Sequence, residues 1–453
     1  MSNQTKYDAF RQTYPEFVYE SYQYDVQPDG LHIVFAFRIG SNILFRPTAF
    51  IPARHFLEMN QPRQVMDLLV FNIGMIELVS YWKCYCPPTV RVGCGWLDDD
   101  QVAFWKRVYY YGLGEFFYTN DIHCSPDDFL TIQPQGRPIA ADPLPTHLDG
   151  DAHLVPIGGG KDSVVTLELL RRLPQTSLRP LIMNPRGATI ACAAAAGYDM
   201  DQVLVIQRTI DPLLLRLNSQ GCLNGHTPFS AMLAFYTLLA AQLSGIPHIA
   251  LSNENSANES TVAGTSVNHQ YSKSFQFEND FRQYVSRYLP IGADYYSFLR
   301  PLSELQIAMI FSQHEKYFPI FRSCNAGSKT DTWCGKCAKC LFAYIILSPF
   351  VAPSRLNHIF GKNMLDDTEL QPLFDQLVGK APTKPFECVG TISEVHAALA
   401  MTLSRWYPAS RPALLCGFEP DPPSINLHHL FPQHNLPPTE LSIITQYVQA
   451  AAH

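Results

Sequence analysis

The sequence predicts an α/β core on a parallel sheet, preceded by an N-terminal α+β domain and followed by a cysteine-rich, helical C-terminal part. Three observations predict it. Strand-like and helix-like runs alternate from residue 148 to about 310, and alternation of that kind builds parallel sheets with helices on both faces. A triglycine run, Gly158-Gly159-Gly160, leads into Lys161-Asp162-Ser163 between an apolar run and a helical pattern. Four cysteines, Cys324, Cys334, Cys337 and Cys340, cluster in the last third.

The elements follow in order. In residues 1–147, Leu31 to Phe37 reads as a strand and Asn42 to Phe45 as its hairpin partner. Apolar residues at helical spacing predict helices over Val65–Trp82 and Gln101–Tyr111. Pro138 and the segment Asp142–Thr146, rich in proline, mark a linker. In residues 148–310 the strands fall at His153–Ile157, Arg179–Met183, Gln202–Ile206 and His248–Leu251. The helices fall at Ser163–Arg172, Thr189–Ala196 and Phe229–Ser244. Ligands of such sheets sit outside the carboxyl ends of the strands. The glycine run, Asn184 and Ser252-Asn253-Glu254 all fall at those ends. Residues 311–453 hold the cysteines, some helical segments and a tail rich in proline.

Composition narrows the function. The chain has 453 residues, of which 47% are apolar and 16% charged, enough to bury large cores and too apolar for disorder. A net charge of −7 argues against nucleic acid, which favours a basic face. The N-terminus lacks the apolar stretch of a secretory signal. The uncharged stretch Phe229–Ile246 carries six polar or small positions and leads into a strand, so it reads as a buried helix and not a membrane span. We therefore expect a cytoplasmic protein. Twelve cysteines in such a compartment point to reduced thiols or a metal.

The glycine run is the chemical centre of the sequence. A strand, a glycine turn and a helix in that order make an anion cradle, because glycines let backbone N–H groups approach a phosphate and the helix start adds partial positive charge. Lys161 adds a full cation and Ser163 a hydroxyl. It is not a Walker A loop, which needs Ser or Thr directly after the lysine. A turn that merely joins strand to helix is the plain alternative, and it leaves the entropy lost by three glycines without a purpose.

Cys334-Gly335-Lys336-Cys337-Ala338-Lys339-Cys340 contains two overlapping C-x-x-C steps, and Cys324 supplies a fourth thiol. That set suits a closed structural zinc site. An iron–sulfur cluster, free thiols, or one catalytic thiol among bystanders are the alternatives. Asp162, Glu254 and Glu259 are candidates for Mg²⁺ or substrate contacts, since carboxylates facing a triphosphate need a cation between them. Asn253 and Asn258 belong to the same polar run, for which a solvated helix start is the plain alternative. Lys273 could meet a phosphate, while His226 and His269 could move a proton. Cys192 is a weaker candidate, better read as a small core residue. Arg300 suits either a bound carboxylate or a surface ion pair.

The run Gly158 to Ser163 resembles the pyrophosphate-binding loop of ATP pyrophosphatases, with Gly158 where a serine is usual. The sheet is accordingly expected to be of that type, also called adenine nucleotide α-hydrolase-like. More broadly, the chain resembles the UDP-N-acetyl-α-D-muramoyl-L-alanyl-L-glutamate epimerases. The matching runs are Gly74–Leu78 with Ser80–Lys83, Tyr111–Phe117, Gly158–Ser163, Leu251–Glu259, His269–Ser274 with Phe277-Glu278, and Trp333–Cys340. The resemblance implies ATP- and Mg²⁺-dependent inversion of the terminal L-Glu of a UDP-linked muramoyl dipeptide through an acyl-adenylate, with AMP and pyrophosphate released. Phosphate contacts would come from Gly158, Gly159, Gly160, Lys161, Asp162 and Ser163, joined by Asn184, Asn253, Glu254, Asn258 and Glu259. Lys161, Asp162, His226, His269 and Lys273 would take part in catalysis. The cysteine segment also resembles that of 7-cyano-7-deazaguanine synthase. The rival readings are therefore an amide- or nitrile-forming ligase of that type and a zinc-stabilised nucleotide-binding module without catalysis.

Overall fold

The structure is a computed structural model that describes residues 2–139, 148–173, 177–327, 330–421 and 425–451. The linker expected at 142–146 lies outside the described residues. Among the described residues there are fifteen α-helices and eleven strands. The strands are β1 Glu16–Gln27, β2 Gly30–Ile39, β3 Ile43–Phe45, β4 Thr48–Pro52, β5 Thr89–Val92, β6 Thr131–Pro134, β7 His153–Pro156, β8 Leu178–Met183, β9 Leu204–Thr209, β10 His248–Leu251 and β11 Asp294–Ser297. The chain divides into two compact units. The first comprises Met1–Leu154, Leu204–Ile249 and Ser266–Asp294, and the second Val155–Val203, Ala250–Thr265 and Tyr295–His453.

The first unit is built on a mixed sheet in the order β9-β4-β2-β1-β5-β6, with β3 also on β2. β1–β2, β2–β3, β2–β4 and β4–β9 are antiparallel, whereas β5 runs parallel to both β1 and β6. The expected hairpin is β2–β3, in which Phe37 faces Phe45. β9 starts and ends later than its apolar run suggests. A turn closed by Gln202 N donating to Asp199 O (2.8 Å) delays its start. Pairing of Gln207–Thr209 with β4 prolongs it, a partner that local sequence cannot reveal.

Helix Arg63–Trp82 is buried along nearly its whole length in this unit. It is also long and apolar enough to cross a membrane, yet 89% of its apolar window is buried. An all-round apolar helix of this kind is normally a core element. Of its two carboxylates, Asp67 and Glu77, the second is fully buried. Arg208 on β9 donates to it from Nε (2.5 Å) and Nη2 (2.7 Å), and the Tyr236 hydroxyl donates at 3.0 Å. The charge is thus paired and hydrogen-bonded, the condition for burying it. Tyr236 belongs to helix Phe229–Ser244, which the sequence predicts to the residue and which is buried as expected.

The second unit carries β8 and the carboxyl-terminal parts of β7, β10 and β11, in the order β11-β10-β7-β8. β10 is parallel to β7. Ile157 N donates to Leu181 O (2.8 Å) and Phe298 N to Leu251 O (2.7 Å), extending the pairing past the strand ends. The helices Lys161–Leu170 and Glu304–Ser312 pack against one another. The first begins two residues earlier than expected, with Gly160 as its cap.

Candidate active site

Among the described residues three clusters of reactive side chains form, two in the second unit and one in the first. In the second unit the glycine run follows β7, Asn184 follows β8, and Asn253 and Glu254 follow β10. All three expected segments therefore leave the carboxyl ends of adjacent strands. Gly160 caps helix Lys161–Leu170 without any side-chain hydrogen bond, so no cap claims its first N–H groups. Gly159 has φ +81°, and a Cβ there would lie 3.1 Å from backbone atoms of Ala188 and Thr189. Only glycine suits that position. A Cβ on Gly158 would meet nothing within 4 Å. Asn184 takes a left-handed conformation, φ 51°.

Lys161 is buried and donates to Asp162 Oδ1 (2.5 Å) and to Glu304 Oε2. Burial works against its charge, but the two carboxylates hold the proton on, so its pKa lies above the ordinary value. Glu304 is pushed upward by burial, which outweighs Lys161, and Asp162, Glu254 and Glu394 add to the rise. The two directions agree once charge is counted: one ammonium faces a surplus of buried carboxylates. Oxygens of Asp162, Glu254 and Glu304 lie within 4.8 Å of one another. A divalent cation relieves such a surplus, so the donor set fits Mg²⁺ bound through few protein oxygens. Ser163 is buried and its hydroxyl donates to Gly160 O (3.1 Å).

Arg300 is fully buried, and its Nη1 donates to the backbone carbonyl of Glu254 (2.6 Å). It steadies the Asn253–Glu254 turn from a buried position, which is not the surface setting that one of its two expected readings requires. Asn253 donates to Ser297 Oγ at 3.0 Å. Asn258 is exposed, and Glu259 pairs with Lys384. Neither joins the Asp162–Glu254–Glu304 group. Cys192 is buried beneath the glycine run, where its thiol donates weakly to Gly159 O (3.6 Å). Burial pushes that thiol up to about 12, the behaviour of a core cysteine.

The four clustered cysteines converge as expected. Their sulfurs lie 3.7 Å (Cys324–Cys337), 3.7 Å (Cys334–Cys340) and 3.5 Å (Cys337–Cys340) apart. Tetrahedral Zn–S bonds of about 2.3 Å set sulfurs about 3.8 Å apart. The set therefore fits zinc. It also adjoins the glycine run: Arg322 N donates to Gly159 O (2.7 Å), two residues before Cys324. Asp331 Oδ1 accepts from Ala188 N (2.9 Å) in the same neighbourhood.

In the first unit, Glu115 on helix Gly114–Thr119 meets His226 and His269. Glu115 Oε2 contacts His269 Nδ1 directly and His226 Nδ1 at 3.3 Å. The ring centroids are 4.6 Å apart. The Lys83 ammonium donates to Gly225 O, His226 O (3.0 Å) and Thr227 Oγ1 (2.6 Å), fixing the segment that carries His226. Burial lowers Lys83 to about 8. His226 is lowered to about 4, first by burial and then by His269. Lys273 also bears on His226. Gly112 admits Pro228 against its helix, where a Cβ would come within 2.8 Å of the proline ring. A cavity of about 1030 Å³ has Tyr111, Gly114 and Val267 in its lining, but not Glu115, His226 or His269.

Sequence reasoning missed Glu115, Lys83, Glu304 and Glu394. Glu115 and Lys83 fall inside matching runs, but 154 residues separate Glu115 from His269. Glu304 looks like an ordinary acidic residue in the first turn of a capped helix. No local signal distinguishes it.

Comparison with known proteins adds a separate line. The family model described as the MurL N-terminal domain matches residues 9–298, and that of the MurL C-terminal domain matches residues 320–414. A protein of Xanthomonas oryzae pv. oryzae named UDP-N-acetyl-alpha-D-muramoyl-L-alanyl-L-glutamate epimerase is 36% identical over 391 residues, 84% of each chain. Proteins with the same name from a Micromonospora species (34%) and Salinispora tropica (35%) each align with 75% of this chain and 74% or 73% of their own length.

Proposed function

This chain belongs to the UDP-N-acetyl-alpha-D-muramoyl-L-alanyl-L-glutamate epimerase family, and on that premise we propose that it inverts the terminal L-Glu of UDP-N-acetylmuramoyl-L-Ala-L-Glu to D-Glu. The carrying observation is 36% identity, over 84% of the chain, to a protein named as this epimerase. We read the reaction as ATP-dependent and cytoplasmic, a step in making peptidoglycan precursors.

The chemistry explains why ATP is needed. A carboxylate resists loss of its α-proton, because the resulting dianion concentrates charge. An oxygen of the substrate carboxylate attacks the α-phosphorus of ATP, and pyrophosphate leaves. The acyl-adenylate so formed is uncharged at the carbonyl and takes up the electron pair of the broken C–H bond. Reprotonation on the opposite face inverts the centre, and water releases AMP and the D-Glu product.

An ATP pyrophosphatase-type loop fits the first half. Gly158, Gly159, Gly160 and Ser163 would offer backbone and hydroxyl contacts to phosphate, with Lys161 as the cation, and Asn184, Asn253, Asn258 and Glu259 nearby in role. Asp162 and Glu254, with Glu304, would hold Mg²⁺, which supplies charge neutralisation for the departing pyrophosphate. Cys324, Cys334, Cys337 and Cys340 would hold a structural Zn²⁺. Preorganised donors of this kind act where charge develops. His226 and His269 are the proton-moving candidates, with Lys273 as an added cation.

The test is chiral analysis of the terminal glutamate after incubation with ATP, Mg²⁺ and substrate without ammonia, with AMP measured in the same tube. D-Glu appearing with AMP is expected. Turnover that requires ammonia would instead indicate a ligase.

A further inference from the structure

We propose that Glu115 is the positioning residue of the proton-transfer step: by accepting from Nδ1 of His269, with Nδ1 of His226 3.3 Å away, it holds a protonated His269 beside a neutral His226 that takes the substrate's proton. The inference rests on the epimerase reading above and adds a residue to it.

The geometry carries it. One carboxylate oxygen faces Nδ1 of two imidazoles contributed by separate segments. His269, which donates from Nδ1 to Glu115, keeps its exchangeable site at Nε2, and its tautomer is set by that acceptor. The rings stand 4.6 Å apart, too close for two positive charges on one carboxylate, so the pair holds a single proton. His269 has the closer contact with Glu115 and keeps it. Around His226 stand Glu115 from helix Gly114–Thr119, Lys83 from the end of helix Arg63–Trp82, and His269 and Lys273 from the segment before helix Phe275–Tyr288. Burial first, and then His269 and the two lysines, oppose a charge on His226. Glu115 alone among these favours one.

In the step itself the α C–H bond breaks, its electron pair enters the activated acyl carbonyl, and the proton passes to His226. The imidazolium of His269 returns a proton to the carbon; the pair then holds its one proton on His226, and exchange with water restores the starting state.

The test measures, in D₂O, deuterium incorporated at the glutamate α-carbon per pyrophosphate released, for wild type, E115Q and E115D, across pH. E115Q is expected to lower that ratio at least fiftyfold, and E115D to recover about a tenth or more of it. What exchange remains in E115Q should have its pH profile displaced by about one unit toward acid, because removing the carboxylate lowers both imidazoles. A wild-type ratio in E115Q, or an undisplaced profile, overturns the proposal. So does a divalent metal bound one per chain, lost in E115Q and required for exchange. Wild type that makes D-Glu without pyrophosphate refutes the adenylation reading instead, and Glu115 is then judged on exchange alone.

Discussion

The Lys161 ammonium donates to the carboxylate of Glu304, 143 residues further along the chain, and to that of its neighbour Asp162. Removing one partner of a buried pair leaves the other charge uncompensated, which typically costs about 3–5 kcal/mol. Lys161→Met is therefore expected to lower unfolding stability by about that amount and to reduce substrate-dependent pyrophosphate release more than a hundredfold. Adding Glu304→Gln should restore part of the stability, read by urea denaturation, and none of the release. Full release in the single variant would exclude the loop as the triphosphate site.

The glycine run offers a matched contrast. Gly159→Ala meets a left-handed backbone and atoms 3.1 Å away, whereas Gly158→Ser meets open space. We expect Gly159→Ala to lose more than about 1 kcal/mol and most ATP affinity, and Gly158→Ser to leave stability within about 0.5 kcal/mol. Equal thermal shifts for the two would contradict the geometry.

Zinc is expected at about one per chain, measured by elemental analysis, and Cys337→Ser or Cys340→Ser should abolish it. Because Arg322 N bonds Gly159 O two residues before Cys324, stripping the metal should weaken ATP binding as well as lower the melting temperature. Melting that drops while ATP affinity holds would separate the cysteines from the loop.

His226 gives a pH signature. Its pKa falls from 6.5 to about 4 on folding, first through burial and then through His269. Between those values the unfolded chain binds a proton that the folded chain refuses. Stability is thus fully present above about 6.5 and falls as pH drops toward about 4, by up to about 3 kcal/mol. Denaturation of His226→Gln at pH 7 and 4.5 should show a shallower loss than wild type. An identical loss would mean that His226 is not held neutral.

The glycine run, the alternation behind strands β7, β8 and β10, the buried helix Phe229–Ser244 and the four-cysteine cluster were all legible in sequence. Each is a short-range pattern: periodicity, turn chemistry or ligand spacing acts over a few residues, and folding preserves it. The pairings of Glu115 with His226 and His269, of Lys161 with Glu304, and of Glu77 with Arg208 were not legible. A lone acidic residue looks the same whether it is solvated or buried against a cation. Burial and partner are properties of the chain's return path, and those come only from the packing of elements more than a hundred residues apart. The sequence by itself determined which chemistry is present; the tertiary structure decided which charges face one another, because Coulomb and desolvation energies depend on distance and burial and not on position along the chain.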